Sequence, residues 1–416
     1  MKRYDSYKDS KVVVLGEVPE HWITSKFKFH HTESDQRVNE NWREYPLLSL
    51  TKQGVVLRDI DSGKGKFPES FETYKSVQKG DVIFCLYDIE ETPRTVGLSH
   101  FDGMITGSYK IFRTIDVLPE FTCYSFLTID DVKGLKPYYT GLRNVVRPET
   151  FKSLTFHLPP LSEQQQIVSF LDTKTSLIDS LIEKTKRKIE LLKKKRTSLI
   201  NEVVTKGLNP NVEMKGSGVE WIGEIPSHWG IERIKYIFTE KRSTSNHNLN
   251  SGSISFGEVI YKDDESIPIS TKESYQELLE GEFLINPLNL NYDLKSLRIG
   301  LSRINVVVSQ GYIIVLNISE NQSEYLRFLL REFDVRHIKS LGNGVRQTIS
   351  FKHLSNELLP VPPISEQTEI VSYLDEHTQL IDKTISVEQR RIELLKEYRQ
   401  SLIFEVVTGK IDVRVN

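Results

Sequence analysis

Cysteine is nearly absent. Cys85 and Cys123 are the only two in 416 residues, so neither a disulfide framework nor a zinc knuckle is supported, and a reducing compartment fits. An excess of charge of one sign is also missing. The chain has 55 Lys+Arg against 57 Asp+Glu, a formal net charge of -2, and so has no bulk attraction to phosphate; any nucleic-acid contact must come from local basic patches. No apolar run approaches the roughly 18 residues that a membrane span needs. The opening Met1-Lys2-Arg3-Tyr4-Asp5-Ser6 lacks the apolar stretch of a signal peptide, and a cytoplasmic location without membrane contact is expected. With 27% charged and 38% hydrophobic residues, the composition is that of a soluble globular chain. At about 100 to 200 residues per domain, the length gives two to four domains.

Familiar catalytic signatures are missing as well. Gly63-Lys64-Gly65-Lys66 has the wrong spacing for a phosphate-binding loop and no hydroxyl after the lysine. The ten histidines form no His-Glu-x-x-His pair, and His30-His31 reads most simply as a surface dipeptide. No metal site is expected.

What the chain does have is an internal repeat. Pro159-Pro160-Leu161-Ser162-Glu163-Gln164 returns as Pro362-Pro363-Ile364-Ser365-Glu366-Gln367, Ile189-Glu190-Leu191-Leu192-Lys193 as Ile392-Glu393-Leu394-Leu395-Lys396, and Glu202-Val203-Val204-Thr205 as Glu405-Val406-Val407-Thr408, all at one offset of 203. With no insertion between these blocks, helical phase is the same in both copies. Upstream of each block lies a weaker echo. Leu15-Gly16-Glu17-Val18-Pro19-Glu20-His21-Trp22 matches Ile222-Gly223-Glu224-Ile225-Pro226-Ser227-His228-Trp229, Gly80-Asp81-Val82 matches Gly281-Glu282-Phe283, Gly97-Leu98 matches Gly300-Leu301, and Gly141-Leu142-Arg143 matches Gly344-Val345-Arg346. Most residues between these landmarks differ. Two regions share a scaffold and carry different surfaces.

Each strongly repeated block reads as one long helix. Apolar residues recur at steps of three, four and seven, at Ile167, Leu171, Ile178, Ile182, Ile189, Leu192, Leu199 and Val203, and again at Ile370, Leu374, Ile381, Ile385, Ile392, Leu395, Leu402 and Val406. The two stripes can bury against each other in coiled-coil fashion. Pro159-Pro160 stops the first helix from extending backwards, and Ser162 with Gln165 forms a Ser-x-x-Gln capping box, which Thr368 leaves incomplete in the second copy. At about 1.5 Å per residue each helix runs on the order of 65 Å. Gly207-Leu208-Asn209-Pro210 breaks the first helix. The predicted organisation is a globular region over 1–158, a helix over 159–207, a second globular region over 208–360 and a second helix over 361–416. The globular regions read as α+β, with strands such as Val82-Ile83-Phe84 and Tyr312-Ile313-Ile314-Val315-Leu316 among Gly turns. The fold class is therefore α+β, two mixed globular domains separated by two long antiparallel coiled-coil helices, with a pseudo-twofold internal repeat.

The Gly-Glu-(Val/Ile)-Pro-x-His-Trp opening, the Gly-(Asp/Glu) strand start and the Pro-Pro-(Leu/Ile)-Ser-Glu-Gln helix start, each present twice and in order, resemble the specificity subunits of Type I restriction-modification systems. The resemblance covers nearly the whole chain. It implies that the globular regions are target recognition domains, each reading one half of a split double-stranded DNA site. It also implies that the paired helices set the gap between the halves and dock methyltransferase subunits, two of them, with restriction/translocase subunits completing the complex. The chain itself would be a non-catalytic subunit without cofactor; S-adenosylmethionine, ATP and Mg would belong to the partners. Asn286-Pro287-Leu288-Asn289 lacks the second Pro and the aromatic of an adenine methyltransferase loop and reads as a turn.

DNA contact is expected from cations in polar or turn-like segments: Lys52, Arg58, Lys64, Lys66 and Arg94 in the first region, and Lys241, Arg242, Lys262, Lys295 and Arg298 in the second. Arg143 and Arg346 join them because each follows a matched glycine, although a structural Arg paired to a carboxylate would look the same. The first helix is basic from Lys184 to Arg196, which fits a solvated face, spacer phosphates or an acidic partner surface. Two rival readings are a structural coiled-coil adaptor, which leaves the divergent regions unexplained, and a self-contained nuclease built from dispersed carboxylates.

Overall fold

The computed structural model describes residues 2–12, 15–59, 68, 70–246, 248–288, 297–338 and 349–414. The chain forms two compact units: Met1–Lys186 with Gln389–Asn416, and Arg187–Glu388. Two long helices, Leu161–Lys206 and Ile364–Val407, each contribute a stretch to both.

The first unit is organised around an antiparallel sheet of His31–Ser34 (β1), Val82–Phe84 (β2), Val96–Leu98 (β3) and Lys110–Thr114 (β4), in the order β1-β4-β2-β3. Ile111 stands opposite Ile83 on one side and Ser34 on the other. Both faces of this sheet are covered, which is why β2 is apolar at every position. Phe84 and Phe112 face an aromatic core with Phe27, Phe126, Phe151 and Phe156. Ile83 and Ile111 face a smaller core with Leu48, Val55, Val77 and Ile105. The hairpin Leu48–Thr51/Gly54–Leu57 lies on that second face. Gly97 lets it approach, because a Cβ there would meet Leu50 Cδ1 at 2.6 Å.

The second unit repeats this plan strand for strand. Phe238–Glu240 (β5), Phe283–Ile285 (β6), Ile299–Leu301 (β7) and Ile313–Asn317 (β8) form a sheet in the equivalent order β5-β8-β6-β7. Around it, the ladders Met214–Gly216/Glu224–Pro226, Gly230–Arg233/Leu358–Val361, Gly252–Ser255/Glu258–Tyr261 and Gln276–Leu278/Val306–Val308 answer Tyr7–Asp9/Glu17–Pro19, Ile23–Lys26/Thr155–Leu158, Leu48–Thr51/Gly54–Leu57 and Lys75–Val77/Gly103–Ile105. The repeat therefore extends to every strand of the described residues, well beyond the landmarks legible in sequence.

Each unit buries a stretch of both helices in its main core. In the first, Ile167, Leu171, Ile178 and Ile182 join Leu402, Ile403, Val406 and Val407; in the second, Ile200, Val203 and Val204 join Ile370 and Leu374. The helices run antiparallel within each unit. In the second, Lys188 pairs with Glu388 and Arg196 with Asp382, so advancing along one helix means retreating along the other. Ile189, Ile381 and Ile385 are also buried, whereas Leu192, Leu199, Ile392 and Leu395 are only half-buried. The stripe is wider than the narrow seam the periodicity suggests, since Val168, Ile200, Val204, Ile403 and Val407 are buried too. A helix that meets a globular region as well as a partner helix needs an apolar face broader than a coiled-coil seam.

The capping expectation is corrected. The first helix begins at Leu161, so Ser162 lies inside its first turn and does not cap it. Gln164 secures the start instead: its Nε2 donates to the Pro159 carbonyl at 2.9 Å while its Oε1 accepts from the Leu118 N–H at 2.9 Å. Gln367 repeats both bonds with Pro362 and Gln322. At the far ends Gly207 and Gly409 take φ of +77° and +70°, the left-handed turn that closes a helix without a Cβ penalty.

Candidate nucleic-acid interface

The most strongly repeated residues form a duplicated clamp. In the first unit, Glu163 at the start of the long helix accepts from Trp22 Nε1 at 2.9 Å, from the Tyr4 hydroxyl at 2.7 Å and from His21 at 2.7 Å. In the second, Glu366 accepts from Trp229 Nε1 at 2.9 Å and from His228 at 2.9 Å. Glu163 lies in the positive field of its helix start, which favours a carboxylate there. The end of the partner helix closes on the same tryptophan in each unit: a Cβ on Gly409 would crowd Pro19 and Trp22, and one on Gly207 would crowd Glu366 and Trp229. The Gly-Glu-x-Pro-x-His-Trp and Pro-Pro-x-Ser-Glu-Gln motifs are thus two halves of one joint that fastens a globular region to its helices. Their joint recurrence was the available signal for this contact, which sequence reading alone left unassigned.

Along the helices an ion pair is duplicated in the same way. Arg399 meets Asp179 at 3.0 Å in the first unit, and Arg196 meets Asp382 at 2.9 Å in the second; both partners are related by the repeat. The basic stretch is therefore partly committed to internal pairs, with Lys188 on Glu388, Lys186 on Glu183 and Arg187 on Glu190. Lys184, Lys193, Lys194 and Lys195 stand exposed.

The candidate DNA-contact cations have different fates. Lys52 sits exposed on the turn of the Leu48–Leu57 hairpin. Arg94, half-buried, braces that turn by donating to the Lys52 carbonyl and to Val96, each at 3.0 Å. Arg58 and Lys262, both exposed, occupy the same place in their units, one residue beyond the hairpin, and their N–H groups donate to Leu47 and Ser251 at 2.8 Å. Arg242 is exposed. Lys241 is half-buried and held by both oxygens of Glu282 at 2.8 Å. Arg143 is exposed but forks onto Asp88 and lies 5.3 Å above the Tyr87 ring, the carboxylate pairing that sequence left open. Lys64, Lys66, Lys295 and Arg346 lie outside the described residues.

Arg298 departs from expectation. It is 6% exposed, and its Nε donates to Asp334 at 3.0 Å while its own N–H donates to the same carboxylate at 2.6 Å. The corresponding position in the first unit is Thr95, whose N–H donates to Asp130 at 2.7 Å. Arg298 is a core residue that ties the entry to β7 to Asp334, the residue that caps the end of the helix Ser323–Phe333, because a buried aspartate needs a counter-charge. Among the described residues no group of three or more His, Cys, Asp or Glu is placed to hold a metal ion, and no helix is long and apolar enough to cross a membrane.

The fold and clamp define an internally duplicated α+β protein, each of whose units is fastened to stretches of two long helices. Residues 106–191 and 296–397 match the Type I restriction modification DNA specificity domain, and the two segments occupy equivalent parts of the two units. Over its full length the chain is 25% identical to a protein of Methanocaldococcus jannaschii assigned as the type I restriction enzyme MjaX specificity subunit, covering 97% of both chains. In fold it is similar to a solved chain from work on complex assembly and conformational transition of the type I R-M system, with a TM-score of 0.71, 16% identity and 95% and 99% of the two chains covered. The HsdS subunit from Thermoanaerobacter tengcongensis matches at a TM-score of 0.55 and 16% identity, over 95% and 98%. Two segments of the chain thus match the DNA specificity domain of Type I restriction-modification systems, and over nearly all of its length the chain is similar to a specificity subunit of such a system.

Proposed function

We propose that each unit reads one half of a bipartite duplex DNA site, and that the long helices set the unread spacer and dock two methyltransferase subunits. Methylation, ATP hydrolysis and cleavage then belong to the methyltransferase and restriction subunits, together with S-adenosylmethionine, ATP and Mg. The observation that carries this reading is the strand-for-strand duplication of a scaffold whose intervening residues diverge. Two copies of one fold with different exposed side chains suit two different base sequences, since base edges are read by side chains while the scaffold positions them. A coiled-coil adaptor would not require this divergence.

The experiment is a domain exchange. Replacing residues 1–158 with the equivalent region of a relative should change one half of the methylated motif and leave the other intact. A change in both halves, or in neither, refutes the modular reading.

A further inference from the structure

In the first unit, a cavity of about 170 Å³ opens beside the Leu48–Leu57 hairpin, lined by Ser49, Arg58, Tyr74, Thr106 and Tyr109 over a floor of Leu47, Leu48, Leu50 and Ile105. Among the described residues no carboxylate lines it. Its polar walls are donors: a guanidinium, two phenols and two hydroxyls. Burial, with Cys85, Tyr87 and Tyr74 nearby, raises the Tyr109 hydroxyl well above its ordinary value, although a tyrosine carries its proton at neutral pH with or without that shift. Arg58 lies close enough to Tyr74 to oppose the rise that burial causes there.

The second unit places the same residue types at the same points of the fold. Lys262 follows its hairpin as Arg58 does. Tyr275 and Tyr74 each immediately precede matched strands, their N–H groups closing turns onto Lys272 and Phe71. Tyr312 and Tyr109 each precede the central strand and close turns onto Ser309 and Thr106. Those turns are held by a buried side chain in both cases: Lys75 donates to the Tyr109 carbonyl at 2.9 Å, and Gln276 to the Tyr312 carbonyl at 2.8 Å. Ser253 stands where Ser49 does in the hairpin register.

This retention is informative because most of the residues around these positions differ between the units. Side chains that read different base sequences must diverge, whereas a ligand part common to every duplex can keep one set of donors. We infer that Arg58, Tyr74 and Tyr109, and their counterparts Lys262, Tyr275 and Tyr312, form matched subsites for a DNA backbone phosphate. The inference rests on the DNA-reading proposal above and assigns these residues to positioning the duplex rather than to choosing its bases. A cation with hydroxyl donors is the usual chemistry of such contacts.

The test uses the complex of this chain with its methyltransferase partners and two duplexes, one carrying the methylated motif found in the host and one unrelated. Arg58→Gln and Lys262→Gln should each lower the slope of log affinity against log salt by about one, with the same fold-loss on both duplexes and no change in the motif methylated. Tyr109→Phe and Tyr312→Phe keep the ring packing and should weaken both duplexes equally. An unchanged salt slope in the cation variants, or an altered base preference in any variant, overturns the phosphate assignment while leaving DNA reading intact. A wild-type complex without preference between the duplexes overturns the parent reading and the assignment with it.

Discussion

Trp22 donates its indole N–H to Glu163 at 2.9 Å across most of the first globular region, and Trp229 does the same to Glu366 in the second. The two joints differ in one respect: Glu163 also takes the Tyr4 hydroxyl, and its side chain is 5% exposed against 21% for Glu366. Glu163→Ala strands two buried donors and should cost about 3 kcal/mol, whereas Glu366→Ala should cost about 1 to 2 kcal/mol. Denaturant unfolding followed by tryptophan fluorescence measures both; equal losses would contradict the account of the joint.

His31, which reads in sequence as part of a surface dipeptide but is buried in the fold, gives the first unit an acid-sensitive element. It is buried, stacked on Phe27 at 3.8 Å, and bonded to the Phe27 carbonyl and the Thr122 hydroxyl. Burial is the main cause that lowers its pKa to about 4. Between that value and the ordinary one near 6.5 the unfolded chain binds a proton that the folded chain refuses, so stability is fully present above the ordinary value and falls as pH drops through this window. The loss should approach about 3 kcal/mol by the bottom of the window. Unfolding curves taken across that range should show it in the wild type and lose most of it in His31→Gln; the same pH slope in both would assign the effect elsewhere.

The long helices, their apolar positions and the duplication were legible in sequence because a fixed offset and a 3.6-residue period survive divergence. The width of the buried stripe was not, since Ile200 and Ile403 gain burial from tertiary packing that periodicity along one helix does not encode. Ser162 misled because it suits a cap, yet the preceding prolines already end the backward run and Gln164 supplies the bonds. Arg298 misled for a related reason: a cation beside a polar loop reads as surface, and only the fold brings Asp334 to it. The matched pairs Arg58/Lys262 and Tyr74/Tyr275 were hidden because the offset drifts between landmarks, and only the strand registers align them.

The Arg298–Asp334 pair should behave as a structural element. Asp334→Ala leaves a buried guanidinium without its counter-charge and should destabilise by about 3 to 5 kcal/mol. Arg298→Met should lower thermal stability while the methylated motif stays the same. A stable Arg298→Met protein with a changed motif would restore Arg298 to the reading surface.

Leu171 and Leu374 occupy one position of the repeat, and both are fully buried. Their alanine variants should each cost about 2 to 5 kcal/mol through lost burial and the cavity left behind. Leu192→Ala and Leu395→Ala, at half-buried sites, should cost less. Calorimetry of the four variants orders them; a larger loss at the half-buried pair would contradict the packing described.

The central claim is that this chain directs DNA modification, and it is tested most directly by modification-sensitive sequencing of host genomic DNA with the gene intact and deleted, in a strain whose methyltransferase subunit is active. The account predicts that deletion removes methylation from one split motif and from no other sequence. An unchanged methylome would contradict it.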